Sequence, residues 1–401
     1  MRLIRYRSGE EARRELERVG TDSWGIEAMV PKMELCLVMV EDVPCRAANV
    51  MKQEMLSLGG DVAVARGSVS CSIEKTTALV MGTRKQVDRF IDKLAFQPFG
   101  LDDIAAGMKD VLQKARRETF SLTTPRRTIT VGERTLVMGI INMTPDSFSD
   151  GGRFASMEEA LEEALRMEEE GADIIDVGGE STRPGSDLLK PDEEMGRVIP
   201  LLRALRKRLS IPLSIDTTKA AVARAAIDEG AEIINDISAL RFDEDMAALA
   251  ASAGVPVILM HMRGTPKTMQ EGDLAYDSLH GEIGTFFRER IEAALSAGID
   301  EENIILDPGI GFGKTAADNC RLIARMDEFR CLGRPLLVGP SRKRFIGETV
   351  GGSPAERLEG TAAAVTVSIL AGASIVRVHD VAFMKPVAVM ADSFRKSGAG
   401  P

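Results

Sequence analysis

The sequence is poor in the features that mark secreted, membrane-embedded or nucleic-acid-binding proteins. Its five cysteines, Cys36, Cys45, Cys71, Cys320 and Cys331, are odd in number and form no CxxC pair. That argues against both a disulfide framework and a zinc site, and a reducing cytoplasm is the expected location. Early arginines are followed by Glu10 and Glu11 with no apolar stretch between them, so no signal peptide is expected. Residues 360 to 376 are apolar but broken by Thr, Ser and Gly, which suits a packed helix better than a membrane span. A net charge of -10 disfavours nucleic acid or anionic membrane as the main partner. It leaves room for a small anionic substrate in a locally basic cleft.

What remains is a globular chain of 401 residues, 44% hydrophobic and 28% charged, too long for one compact domain unless that domain is a barrel. Two domains are expected, over 1–125 and 126–401. In the first, strands at 33–40, 61–65 and 77–81 alternate with amphipathic helices at 46–58 and 84–96, and a third helix is expected over 101–117. This pattern predicts a small α+β domain. It holds no clustered His, no phosphate loop and no nucleophile motif, so it is assigned no chemistry. A second enzymatic activity, a regulatory module and an assembly surface stay open for it, the last favoured by elimination. The TTPRR stretch at 123–127 is expected to be a linker, because proline disfavours helix before it.

The rest of the chain is organised around TLVMGIINMTPDSFSDGGR at 135–153, an apolar strand that runs directly into a polar loop. Seven further strands follow at 173–178, 212–216, 232–237, 256–262, 304–309, 335–341 and 375–380, with helical patterns between them and Gly at the helix-to-strand joints. Eight βα units predict a closed (β/α)8 TIM barrel rather than the alternative, an open doubly wound sheet. A barrel brings its strand C-termini to one mouth. Those termini are Asn142, Asp176, Asp216, Asn235 with Asp236, His261, Asp307, Ser341 to Lys343, and Arg377 with His379. Taken singly, each is as well explained by helix capping or turn formation. Joint placement is what capping does not explain for Lys343, Arg377 and His379.

The set divides by chemistry. Asp176, Asp216, Asn235 and Asp307 suit a flat heterocycle with a guanidine-like N–C–N edge, since a carboxylate accepts two parallel N–H bonds from such an edge. Arg183, Lys343, Arg377 and His379 suit phosphate, and strands 7 and 8 of such barrels often carry a phosphate site. DPGIGFGKT at 307–315 nearly matches a nucleotide phosphate loop, but Pro308 replaces its first Gly. Its glycines more simply let the backbone and Phe312 approach a planar ligand.

These motifs resemble the dihydropteroate synthase family. INMTPDSFSDGG, IIDVGGESTRPGS, LSIDTTK, IINDIS, LMHMRGTPKTMQ, ILDPGIGFGK, VGPSRKRFIG and IVRVHDV occur in the family's order across residues 135–395. The resemblance implies a (β/α)8 barrel that joins 6-hydroxymethyl-7,8-dihydropterin diphosphate to p-aminobenzoate in folate biosynthesis. It implies pterin contacts at Asp176, Asp216, Asn235, Asp307, Phe312 and Lys343, and p-aminobenzoate contacts at Thr182, Pro184, Phe148 and Ser341, where sulfonamides compete. It puts the diphosphate on Asn142, Arg183, Arg377 and His379, with Asn142 as a Mg²⁺ ligand. Catalytic roles fall to Lys343, Arg183, Asp150, Arg377 and His379, with Asp146 in support, and a homodimer is implied. Pro340, before SRK, departs from the family pattern and bears on where Ser341 lies. Methyltetrahydrofolate-binding corrinoid methyltransferases share the pterin barrel and are the competing enzyme class. Their chemistry needs no diphosphate cradle, so the Arg and His groups count against them. A catalytically dead pterin-binding protein is the third reading, disfavoured because every site group is present.

Overall fold

A computed structural model of the chain describes residues 1–4, 9–143, 157–181, 189–272 and 274–399. It divides into two units, Met1–Arg116 and Arg117–Gly400. The division precedes the expected 125/126 boundary because a hairpin that spans that boundary belongs to the second unit.

The first unit is α+β. Helices α1 (Gly9–Val19) and α2 (Ser23–Met33) lead into β1 (Leu35–Pro44), α3 (Cys45–Ser57), β2 (Asp61–Ala63), β3 (Lys75–Thr83), α4 (Arg84–Leu94) and α5 (Leu101–Lys114). The strands form an antiparallel sheet in the order β1-β3-β2. Val38, Val62, Val80, Met51, Met55, Phe90 and Leu94 make its core. Thr83 and Gln86 close a capping box that starts α4 directly at the end of β3. The sequence reading located every element except α1, which is rich in charge, and α2, which holds Pro31; both bury few residues (Ala12 in α1, Gly25 and Ile26 in α2).

The second unit opens with a two-stranded hairpin, β4 (Phe120–Thr123) and β5 (Thr128–Val131). The stretch expected to be a linker is therefore a turn. Thr124 fixes it, its hydroxyl accepting from Arg126 N and Arg127 N and donating to buried Glu232 at 2.7 Å. Eight parallel strands follow: β6 (Leu136–Asn142), β7 (Ile174–Gly178), β8 (Leu213–Asp216), β9 (Ile233–Asp236), β10 (Val257–Met260), β11 (Ile304–Asp307), β12 (Leu337–Val338) and β13 (Ile375–Val378). They run in the order β11-β10-β9-β8-β7-β6-β13-β12, and a parallel bridge from Leu306 to Leu336 closes the ring. The seventh strand, expected over 335–341, is regular only over Leu337–Val338, with Leu336 in the closing bridge. Pro340 has no N–H to give a ladder, and its carbonyl instead accepts from Lys343 N at 3.3 Å.

Strand alternation divides the hydrophobic residues into two cores. Val137, Ile175, Ile215, Ile234, Leu259, Leu306, Val338 and Val376 face outward against the helices. Met138, Ile174, Ile233, Ile258, Ile305, Leu337 and Ile375 face the barrel axis, where Phe120, Leu122 and Val131 of the hairpin join them. The hairpin thus plugs one end of the barrel with apolar side chains, and the polar strand ends occupy the other.

Candidate active site

Two residues beyond the inward apolar layer, the same alternation turns Asp176, Asn235, Met260, Asp307 and Arg377 toward the barrel axis. Asn142, Gly178, Asp216 and Asn235 stand in one cross-strand register line on β6 to β9. Asp176 is fully buried, and its Oδ2 accepts from Arg377 Nε at 2.6 Å and Asn235 Nδ2 at 3.0 Å. Asp216 Oδ2 accepts from Arg377 Nη2 at 2.8 Å. One guanidinium therefore bridges two carboxylates. Burial works against its charge, but Asp176 and Asp216 outweigh burial and hold Arg377 protonated more firmly than usual.

Two carboxylates against one cation leave an excess of negative charge. Burial raises Asp216 to about 7, opposed by Arg377 and reinforced by Asp176. Burial also raises Asp307, whose Oδ1 accepts from Gly309 N at 2.7 Å. Lys343 supplies the second cation, lowered to about 8 by burial and by Arg377. Its Nζ lies 4.2 Å from the ring centroid of Phe312. That ring belongs to a buried apolar group with Ile237, Met260, Met262 and Met269. Asp176 Oδ1 is buried with no hydrogen-bond partner among the described residues. The arrangement offers a flat donor-rich ligand an apolar wall and carboxylate acceptors within one cup.

The other predicted residues divide by location. Ser341 Oγ lies 3.0 Å from His379 Nδ1 and accepts from His379 N at 3.2 Å, joining the ends of the seventh and eighth strands. Arg342 between them adopts φ 58° and makes a bidentate pair with Asp380 at 2.9 and 2.6 Å, so Pro340 leaves Ser341 well anchored. Asn142 is half-buried at the end of β6. Arg377, expected at the diphosphate, has Nε and Nη2 engaged by Asp176 and Asp216. Asp146, Phe148, Asp150, Thr182, Arg183 and Pro184 lie outside the described residues.

Two strand-end groups prove structural. Asp236 accepts from Ser238 N and Leu240 N, holding a turn with Ala239 and Leu240 at positive φ. His261 Nδ1 lies 2.9 Å from the buried Lys314 Nζ. The sequence reading did not single out Met260, although its period-two place opposite Asp307 signals it. It also missed Lys219, whose Nζ binds Glu180 at 2.9 Å and buried Glu194 at 2.6 Å. Glu180 in turn accepts from Leu189 N, tying together the described flanks of residues 182–188. Residues this far apart in sequence carry no local signal of pairing.

Comparison with known proteins places this geometry. Residues 138–379 match the pterin binding enzyme family. The dihydropteroate synthase of Synechocystis sp. is 51% identical over 263 residues, covering 65% of this chain and 91% of that one. A probable bifunctional folylpolyglutamate synthase/dihydropteroate synthase of Haloferax volcanii is 38% identical over 385 residues, covering 94% of this chain and 45% of that one. An alignment of that extent takes in most of Met1–Arg116 as well as the barrel. The crystal structure of Yersinia pestis dihydropteroate synthase in a sulfonamide drug complex superposes with a TM-score of 0.66 at 42% identity, covering 69% of this chain and 99% of that one.

Proposed function

The chain belongs to the pterin binding enzymes, and within them to the dihydropteroate synthases, and on that premise we propose how its residues perform the reaction. Dihydropteroate synthases condense 6-hydroxymethyl-7,8-dihydropterin diphosphate with p-aminobenzoate, giving 7,8-dihydropteroate and diphosphate. The observation that carries the assignment of residues is the buried cup of Asp176, Asp216, Asn235, Asp307 and Lys343 beside Phe312. The pterin's N–C–N edge donates to the carboxylates, and its ring lies along Phe312 and the methionines, whose polarizable thioethers adapt to a planar ligand. The partnerless Asp176 Oδ1 supports this reading, since a buried acceptor without a donor is costly unless a ligand supplies one.

Substitution at the pterin methylene is dissociative in this proposal. The C–O bond to diphosphate breaks first, and the ring nitrogen lone pairs stabilise the methylene cation. The neutral arylamine then attacks, forming the C–N bond and losing its proton. Lys343 and Arg377 supply positive charge and His379 a ring nitrogen near the departing group, Arg183 and Asp150 acting from the segments outside the described residues. Thr182, Pro184, Phe148 and Ser341 are proposed to hold p-aminobenzoate, where sulfonamides compete.

Mg²⁺ is proposed as the metal, neutralising diphosphate charge when bound. Among the described residues no three His, Cys, Asp or Glu side chains cluster to cage an ion. The amide oxygen of Asn142 at the mouth fits instead the way this ion binds, through one or two protein oxygens, substrate phosphates and water. A homodimer is proposed on the outer helices at residues 358–370 and 381–394. Val367, Phe383, Met390 and Phe394 are exposed there, the last three at positions that share a helix face. A cytoplasmic location is proposed on the free state of all five cysteines. No helix among the described residues is long and apolar enough to cross a membrane. Diphosphate release by the full-length protein tests the reading. It is expected to rise with p-aminobenzoate, matched by 7,8-dihydropteroate formed, and to stop on chelation of Mg²⁺; release with p-aminobenzoate but without dihydropteroate would refute the condensation.

A further inference from the structure

Lys314 is the one lysine of the glycine-rich loop after β11, and its position does not suit a phosphate ligand. It is 3% exposed, and its ammonium turns inward. Nζ donates to the carbonyls of Gly309 and Phe312 at 3.0 Å each, and its third N–H is shared by His261 Nδ1 at 2.9 Å and the His261 carbonyl at 3.3 Å. The contact with Nδ1 requires the His261 tautomer that carries its proton on Nε2. Burial and the neighbouring cations keep that ring neutral, so it accepts rather than donates.

The convergence of carbonyls follows from the glycines. Gly309, Gly311 and Gly313 adopt φ 67°, 86° and 67°, folding the loop so that the carbonyls of Gly309 and Phe312 both reach Lys314 Nζ. A Cβ at Gly309 would stand 2.0 Å from His261 O, and one at Gly311 would stand 3.2 Å from Lys343 Cδ. Oxygens gathered in this way repel one another unless a cation lies among them. Lys314 supplies that charge: burial lowers its pKa to about 7 with Asp307 opposing, and the carbonyls around Nζ favour its ammonium form. The loop it holds carries Phe312, and the face of Phe312 lies under Lys343.

We propose that Lys314 is a positioning residue for the pterin site: its ammonium, clasped by the carbonyls of His261, Gly309 and Phe312, holds the loop so that Phe312 and Lys343 present one preformed surface to the pterin ring. The inference rests on the reading that Phe312 and Lys343 face the pterin. It assigns Lys314 no contact with either substrate.

Two substitutions in the full-length chain test it, Lys314→Ala, which opens a cation-sized cavity, and Lys314→Gln, which keeps two N–H donors without charge. The dissociation constant for dihydropterin diphosphate is measured by calorimetry, and KM for p-aminobenzoate at saturating pterin substrate. For Lys314→Ala, pterin affinity is expected to fall about tenfold or more, the effect of losing a buried charge-assisted hydrogen bond, while KM for p-aminobenzoate stays within about twofold. Methylammonium is expected to restore most of the lost affinity, and tetramethylammonium at equal ionic strength none of it. Lys314→Gln is expected to show a smaller loss in the same direction without response to methylammonium, and it decides the matter where the alanine variant does not fold. Unchanged pterin affinity, or loss of both substrates together without rescue, would overturn the proposal. Wild-type turnover in the same buffer tests the functional reading separately.

Discussion

Arg377→Met removes the guanidinium between Asp176 and Asp216 while keeping the bulk of the stem. Both carboxylates are then left in a site where their side chains are 0% and 12% exposed. Each contact, at 2.6 and 2.8 Å, is worth roughly 6 kcal/mol of attraction at an effective dielectric of about 20 before desolvation is counted. Removing one partner of such a buried pair costs about 3–5 kcal/mol net. The folded variant avoids part of this loss by keeping a proton on Asp216, already raised from 3.8 to about 7 in the native site chiefly by burial, with Arg377 opposing.

The sign of the pH dependence follows. Between its unfolded and folded pKa values Asp216 is protonated in the folded chain and ionised in the unfolded one, so stability falls as pH rises, by ~1.4 kcal/mol per pH unit for one proton. In the wild type that fall levels off above about 7. With Arg377 gone the folded pKa moves higher and the fall continues. The stability difference between variant and wild type is therefore expected to be smallest near pH 6 and to grow by roughly 1.4 kcal/mol per unit above pH 7. Scanning calorimetry of the full-length chains from pH 6 to 9 reads this on the barrel transition, the larger in enthalpy because enthalpy scales with size. A difference independent of pH, or one that shrinks as pH rises, would refute the charge accounting.

Lys343, lowered to about 8 by burial and Arg377, loses its ammonium as pH rises through that value. kcat/KM for the pterin substrate is expected to decline above about pH 8, and Lys343→Arg, whose guanidinium does not titrate there, to move the decline upward even at reduced activity; a pH–rate profile checks both. At the plugged end of the barrel, Leu122→Ala is expected to cost ~2–4 kcal/mol, read by calorimetry, with both KM values unchanged, because Leu122 is fully buried among the apolar floor residues rather than at the mouth.

The barrel and much of its cup were legible because two short-range rules suffice for them. Apolar runs of strand length recur between helical patterns, and each ends in polar residues that a barrel brings to one mouth, so Asp176, Asn235, Asp307 and Arg377 are found by their joint placement. What a strand-end side chain does once there is a different question. Asp216 and Asp236 are both aspartates at strand ends, yet one faces the site beside Arg377 and the other holds a turn through Ser238 N and Leu240 N. Only the path of the following loop decides between them. His261 and Lys314 make the point more strongly, since their meeting depends on a loop turned by Gly309, Gly311 and Gly313, 48 or more residues from the histidine. The hairpin over 120–131 was hidden for the opposite reason. Its strands are four residues each, too short for alternation to register, and the proline that argued for a linker is equally at home in the turn that joins them. Local pattern reaches the strand ends, and it does not reach buried contacts such as that of Lys314 with the Gly309 and Phe312 carbonyls.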